Sequence, residues 1–201
     1  VRSREVQRDF FPRIQNSKRV IENKFLEIKK TVQYIHIHPQ KKMVTDYEIM
    51  APVGSWESLS AAIQAGANSV YFGIEKLNMR SRSSSNFTTD DMHKIVDLCR
   101  QHNVKTYLTV NTVIYGEDLD LMREIVNEAK KAKVSAIIAA DVAVMTYACQ
   151  CGVEVHLSTQ LNIANVEALK FYAQFADVVV LARELNLNQV ADIYKAIVEE
   201  N

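Results

Sequence analysis

The chain has 201 residues, 48% of them hydrophobic, three cysteines and a formal net charge of zero. It has no apolar run of the roughly 18 residues that would span a membrane, and its first forty residues are too charged for a secretory leader, so a cytoplasmic location is expected. An odd number of cysteines (Cys99, Cys149 and Cys151) without C-x-x-C spacing argues against a disulfide framework and against a zinc site.

The neutral total hides an asymmetry. Residues 1–45 carry eleven Lys/Arg against four Asp/Glu, a surplus of seven, and residues 46–201 carry thirteen against twenty. A boundary is therefore expected near Met43–Asp46. In the basic segment Ile21, Phe25, Ile28, Val32 and Ile35 recur at spacings of four and three, which predicts a helix. That helix would pack on the following domain or on a neighbouring copy, or serve as a nucleic-acid-binding arm. Met43 is a candidate natural start, in which case the upstream residues stand outside the working protein.

From residue 46 onward short apolar runs alternate with amphipathic ones. The first strand is predicted at Tyr47–Ala51, followed by a helix capped by Ser55 with Leu59, Ala62 and Ile63 on one face. Ser69–Gly73 is the second strand, and a helix from Thr88 to His102 follows, with Asp90 and Asp91 well placed in its first turn. The pattern continues with strands at Lys105–Asn111, Ser135–Asp141, Glu154–Thr159 and Asp177–Ala182, and helices at Glu117–Ala132, Val142–Cys149, Ala164–Phe175 and Leu187–Glu199. Gly66 and Gly152 each end a helix ahead of a strand.

Six successive βα units predict an α/β fold with a parallel sheet. An open doubly wound sheet has central strands that are apolar on both faces, whereas here Lys105, Tyr107, Thr109 and Asn111 share a face, as do His156 and Ser158. The stretch after the first strand, Ala51-Pro52-Val53-Gly54-Ser55, also lacks a glycine-rich phosphate loop. Both points favour an incomplete TIM-like (β/α)8 barrel with two strands missing, whose open edges a partner chain, the N-terminal segment or an absent C-terminal half would cover.

Active sites of such barrels lie where strands end and loops begin. Those positions hold Arg80 and Arg82 after the second strand, Asn111 after the third, Asp141 after the fourth, Ser158 and Gln160 after the fifth, and Arg183 and Glu184 after the sixth. His156 would point inward just below that rim. Arg80, Arg82 and Arg183 are suited to hold a carboxylate or phosphate, with Glu184 and Asp141 beside the same site, while His156, Ser158, Gln160 and Asn111 would orient the reacting group. Asp141 has the alternative of simply capping the next helix, and His156 that of a buried imidazole satisfied by a carbonyl. A Ser158–His156 nucleophile pair is disfavoured: residues i and i+2 on one strand lie about 6.5 Å apart along the backbone, and no G-x-S-x-G elbow is present. No H-E-x-x-H motif is present either, and no metal site is assigned.

Four blocks carry a resemblance. Glu48-Ile49-Met50-Ala51-Pro52-Val53-Gly54-Ser55, Ala65-Gly66-Ala67-Asn68-Ser69-Val70-Tyr71-Phe72-Gly73, His156-Leu157-Ser158-Thr159-Gln160 and Leu181-Ala182-Arg183-Glu184-Leu185-Asn186-Leu187 occur in this order. Together they resemble peptidase family U32, the collagenase-like family, from Glu48 to the end; Asn186 stands where the family usually has Ser. The resemblance implies a barrel-like N-terminal domain. For activity it implies either proteolysis or a part in the hydroxylation of RNA bases or of a quinone precursor. It further implies, in the hydroxylation members, an iron–sulfur cluster held by cysteines beyond the last block, in a C-terminal half absent here; Cys99, Cys149 and Cys151 do not match those positions. The Arg80-Ser81-Arg82 stretch is similar to a loop of the tRNA-modifying members. The expected function is therefore RNA (tRNA) hydroxylation, with a peptide-cleaving enzyme and a non-catalytic scaffold as alternatives.

Overall fold

Six short strands pair in parallel in the order of the sequence: β1 (Met50–Pro52), β2 (Ser69–Phe72), β3 (Lys105–Val110), β4 (Ala136–Ala139), β5 (Val155–Leu157) and β6 (Val178–Val179). The computed structural model describes residues 47–74, 76–78 and 87–199. The expected basic helix of residues 1–45 lies outside them, as do Arg80 and Arg82. Between the strands run α1 (Trp56–Gln64), α2 (Thr89–Gln101), α3 (Leu119–Ala132), α4 (Val142–Cys151) and α5 (Val166–Tyr172). This sheet and its five helices form one compact unit that ends at Leu185. The helix α6 (Leu187–Glu199) belongs to a second unit. No described helix is long and apolar enough to cross a membrane.

Strand order without reversal is the signature of a barrel rather than a doubly wound sheet, since every right-handed crossover then lays its helix on the same face. The result is a half-barrel of six strands joined by five crossover helices. Side chains alternate across it. Val70, Phe72, Leu108, Val110, Ile137, Ala139, Val155 and Leu157 point outward and are sealed from solvent by the helices. They pack with Leu59, Met92, Ile95, Met122, Ile125 and Met145 in one continuous core. Each such aliphatic side chain contributes about 1.5–3 kcal/mol on burial.

The helices start where the sequence offers caps. Ser55 with Ser58, and Thr88 with Asp91, form reciprocal capping boxes on α1 and α2. Asn186 and Gln189 do the same for α6, with backbone–side-chain bonds of 2.9 and 3.0 Å. Gly152 closes α4 with φ at 70°, a left-handed turn that glycine takes without strain.

The strands are shorter than the sequence predicts. β1 keeps three residues, beginning at Met50 rather than Tyr47, and β6 keeps two of the six expected. Among the described residues each has a single neighbouring strand, so fewer ladder bonds hold it. The helix expected from Glu117 begins instead as a 3₁₀ turn at Gly116–Asp118 before α3. The one expected at Ala164–Phe175 is cut to α5, because Asn165 caps it from outside, its side chain accepting from the Ala168 amide.

Candidate functional site

The inner face of the half-barrel is built from the residues that alternate away from the core. Register places Thr109, Ile138, His156 and Val178 side by side across β3, β4, β5 and β6. One step toward the strand ends come Asn111 and Ser158. This wall borders a cavity of about 340 Å³, within the size range of small-ligand sites. Asn111, His156 and Ser158 all line it, together with Tyr71 and Thr109. Met50 at one edge and Val180 at the other also line it and remain 46% and 38% exposed. The close approach of Gly73 to Asn78 shapes the rim: a Cβ at Gly73 would meet the Asn78 side chain at 2.3 Å.

Below the cavity, toward the strand beginnings, lies a linked set of polar groups. The Lys105 ammonium donates to Glu48 Oε2 at 2.7 Å, and the Tyr107 hydroxyl donates to Glu48 Oε1 at 2.6 Å. Burial acts to raise the Glu48 carboxyl, but these hydrogen bonds outweigh it and hold the group below the usual carboxylate range. Burial, reinforced by Glu48, pushes the Tyr107 hydroxyl well above the usual phenol range. The Tyr107 ring packs against the His156 imidazole with centroids 4.7 Å apart. His156 Nε2 lies 2.8 Å from Glu154 Oε1. That hydrogen bond, against the opposing effect of burial, holds Glu154 below the carboxylate range. The Ser69 hydroxyl is fully buried on the same face, beside Glu48 and Tyr107.

The expected site residues divide into three groups. Asn111, His156 and Ser158 line one cavity. Gln160 stands just beyond, exposed, and accepts from the Ser158 hydroxyl at 3.0 Å. Ser158 and His156 therefore bond to other partners and not to each other. Asp141 spends both carboxylate oxygens on backbone amides, of Ala143 at 2.8 Å and of Ile114 at 3.3 Å, so it caps α4 and ties down the loop after β3. Arg183 and Glu184 follow β6 as exposed residues and are not part of the cavity wall. Arg80 and Arg82 lie outside the described residues.

The cysteines do not fit a cluster. Cys99 is fully buried in the core, its thiol pushed up to about 11 by burial. The Cys149 thiol donates to the Phe175 carbonyl at 3.0 Å, and Cys151 lies on α4 with its sulfur 3.7 Å from Asn127 Oδ1. Among the described residues no three His, Cys, Asp or Glu side chains come together as metal ligands.

Sequence reasoning missed Glu48, Lys105, Tyr107 and Glu154 as a connected set. The signal for one link was present in Glu154-x-His156, an acid and an imidazole on the same face of one strand.

Known proteins share this chain's pattern. The model of Peptidase family U32 matches residues 54–200. The Collagenase of Porphyromonas gingivalis is 68% identical over 158 residues, which are 79% of this chain and 38% of that protein. The tRNA hydroxylation protein P of Helicobacter pylori is 31% identical over 153 residues, 75% of this chain and 36% of that protein. The chain thus spans less than two fifths of the length of either relative. Among solved structures, the U32 peptidase Mk0906 superposes with a TM-score of 0.62 at 15% identity, covering 79% of this chain and 68% of that one, a likeness of fold.

Proposed function

The chain belongs to peptidase family U32, and on that premise we propose that its half-barrel is the substrate-binding portion of a cytoplasmic protein that acts in the hydroxylation of an RNA base. The observation that carries this reading is the makeup of the cavity wall. Thr109, Asn111 and Ser158 offer neutral hydrogen-bonding groups, and His156 offers a single imidazole, the kind of set that orients a small polar ring or a flipped base. A peptidase of the serine type would need Ser158 activated by His156, and each of these side chains is bonded elsewhere. A relative whose name records tRNA hydroxylation agrees with the choice.

In this reading Asn111 and Ser158 fix the orientation of the ligand, with Gln160 holding the Ser158 hydroxyl in one direction. His156 accepts or returns a proton. Arg183, exposed beyond β6, and Arg80 and Arg82 are assigned to RNA phosphates or to an anionic co-substrate. The iron–sulfur cluster implied by the resemblance finds no ligand set in the three cysteines of this chain, and no step proposed here passes through it.

The rival reading is proteolysis, favoured by the 68% identity to a protein named Collagenase. One experiment separates the two. Nucleosides from the RNA of cells with and without the gene encoding this chain are compared by mass spectrometry, and the same cell extracts are assayed on gelatin. Loss of a nucleoside carrying one extra oxygen, with gelatin cleavage unchanged, is the expected result. An unchanged nucleoside profile with loss of gelatin cleavage would establish the peptidase.

A further inference from the structure

Glu154 has no part in the function assigned so far, yet it is the only hydrogen-bond partner of the His156 side chain among the described residues. An ionised carboxylate can only accept, and Glu154 is held ionised by its bond to His156 with the help of the nearby Lys105 charge. The proton of that 2.8 Å contact therefore sits on Nε2, and whenever the ring is neutral its lone pair sits on Nδ1.

Two further observations bear on Nδ1. The Tyr107 ring lies against the imidazole at 4.7 Å, and its hydroxyl is committed to Glu48, so Tyr107 fixes the plane of the ring without competing for a nitrogen. Nδ1 has no hydrogen bond among the described residues. It is not among the buried side-chain polar atoms left without a partner, so it is not sealed from solvent either. His156 is one of the cavity-lining residues.

We propose that Glu154 is a positioning residue: it locks His156 with Nε2 protonated and presents Nδ1 as the proton acceptor of the cavity, set for a ligand that offers a hydroxyl or N–H group beside Ser158 and Asn111. In the proton transfer the ligand O–H or N–H bond breaks, its electron pair stays on the ligand atom, and an N–H bond forms at Nδ1. The imidazolium so made is balanced by the Glu154 carboxylate, with Tyr107 across the ring and Lys105 and Glu48 further along the same face. The inference rests on the cavity being the ligand site proposed above.

Nitrogen NMR of His156 in the full chain at neutral pH tests the tautomer without any activity. The expected spectrum has a protonated Nε2 and a bare Nδ1, a pattern that Glu154→Ala replaces with a tautomer mixture and Glu154→Asp partly keeps. A bare Nε2 in the unsubstituted chain, or the same spectrum in Glu154→Ala, overturns the inference and leaves the functional reading standing. Complementation of a gene deletion reads the second half. Glu154→Gln is expected to lower the hydroxylated fraction of the nucleoside by about tenfold or more, with Glu154→Asp recovering part of it. Full hydroxylation in Glu154→Gln, in cells where His156→Ala abolishes it, overturns the positioning role alone. No dependence on His156 at all sinks the functional reading instead.

Discussion

Replacing Asp141 by alanine strips two backbone amides of their acceptor in one step. The Ala143 amide belongs to the first turn of α4, and the Ile114 amide to the loop that follows β3. A lost cap of this kind costs about 1 kcal/mol, with the loop contact in addition. Urea denaturation of Asp141→Ala is expected to show a lower midpoint with an unchanged slope; a midpoint equal to that of the unsubstituted chain would contradict the capping role. At the same scale the Glu154–His156 pair shows the limit of reasoning from spacing. A separation of about 6.5 Å along the backbone was sufficient reason to doubt Ser158 against His156, and they do not bond. Yet Glu154 and His156 have the same spacing and do, because both side chains are long enough to lean toward each other. Alternation tells which side chains share a face. It does not tell which way along the strand each one leans, and that direction decides the partners.

Among the elements, the short strands β1 and β5 are flanked by carboxylates that bond outside the ladder. Glu48 joins the segment ahead of β1 to Lys105 and Tyr107 of β3, and Glu154 opens the way into β5. Both carboxyls are held below their ordinary range in the folded chain. A depressed folded value means that the stabilisation is complete above the range where the unfolded carboxyls titrate and is lost as the pH falls through the folded values. Because both side chains are partly exposed, each contributes within about 1 kcal/mol. Urea midpoints measured from neutral pH down into the acid range are expected to fall less steeply for Glu48→Gln/Glu154→Gln than for the unsubstituted chain. Parallel curves would show that these two groups do not carry the acid sensitivity. The starts of α1 and α2 were legible in the sequence because a cap is a local device, read from Ser55 and Thr88 alone, whereas the start of α5 was placed two residues early, ahead of its cap Asn165. The ends of β1 and β6 were not legible, because an edge strand stops where its single neighbour stops pairing, and that is a property of the sheet.

At the scale of the whole molecule, a half-barrel was legible because mixed faces such as Lys105, Tyr107, Thr109 and Asn111 suit a barrel interior and not the middle of a doubly wound sheet. The cavity follows from the same fact, since parallel strands in sequential order bring Asn111, His156 and Ser158 from distant parts of the chain to one wall. Arg183 was expected on that wall from its place after β6. But β6 is only two residues long, and the chain beyond it turns Arg183 out to solvent, which suits contact with a large ligand better than with a small enclosed one. The central claim is that this wall, rather than the surface around it, binds the group that reacts. Its most direct measurement is the hydroxylated fraction of the target nucleoside in cells complemented with Asn111→Ala or His156→Ala, with folding checked by circular dichroism. The account predicts that both folded variants lose the modification, and restoration to the unsubstituted level by either one would contradict it.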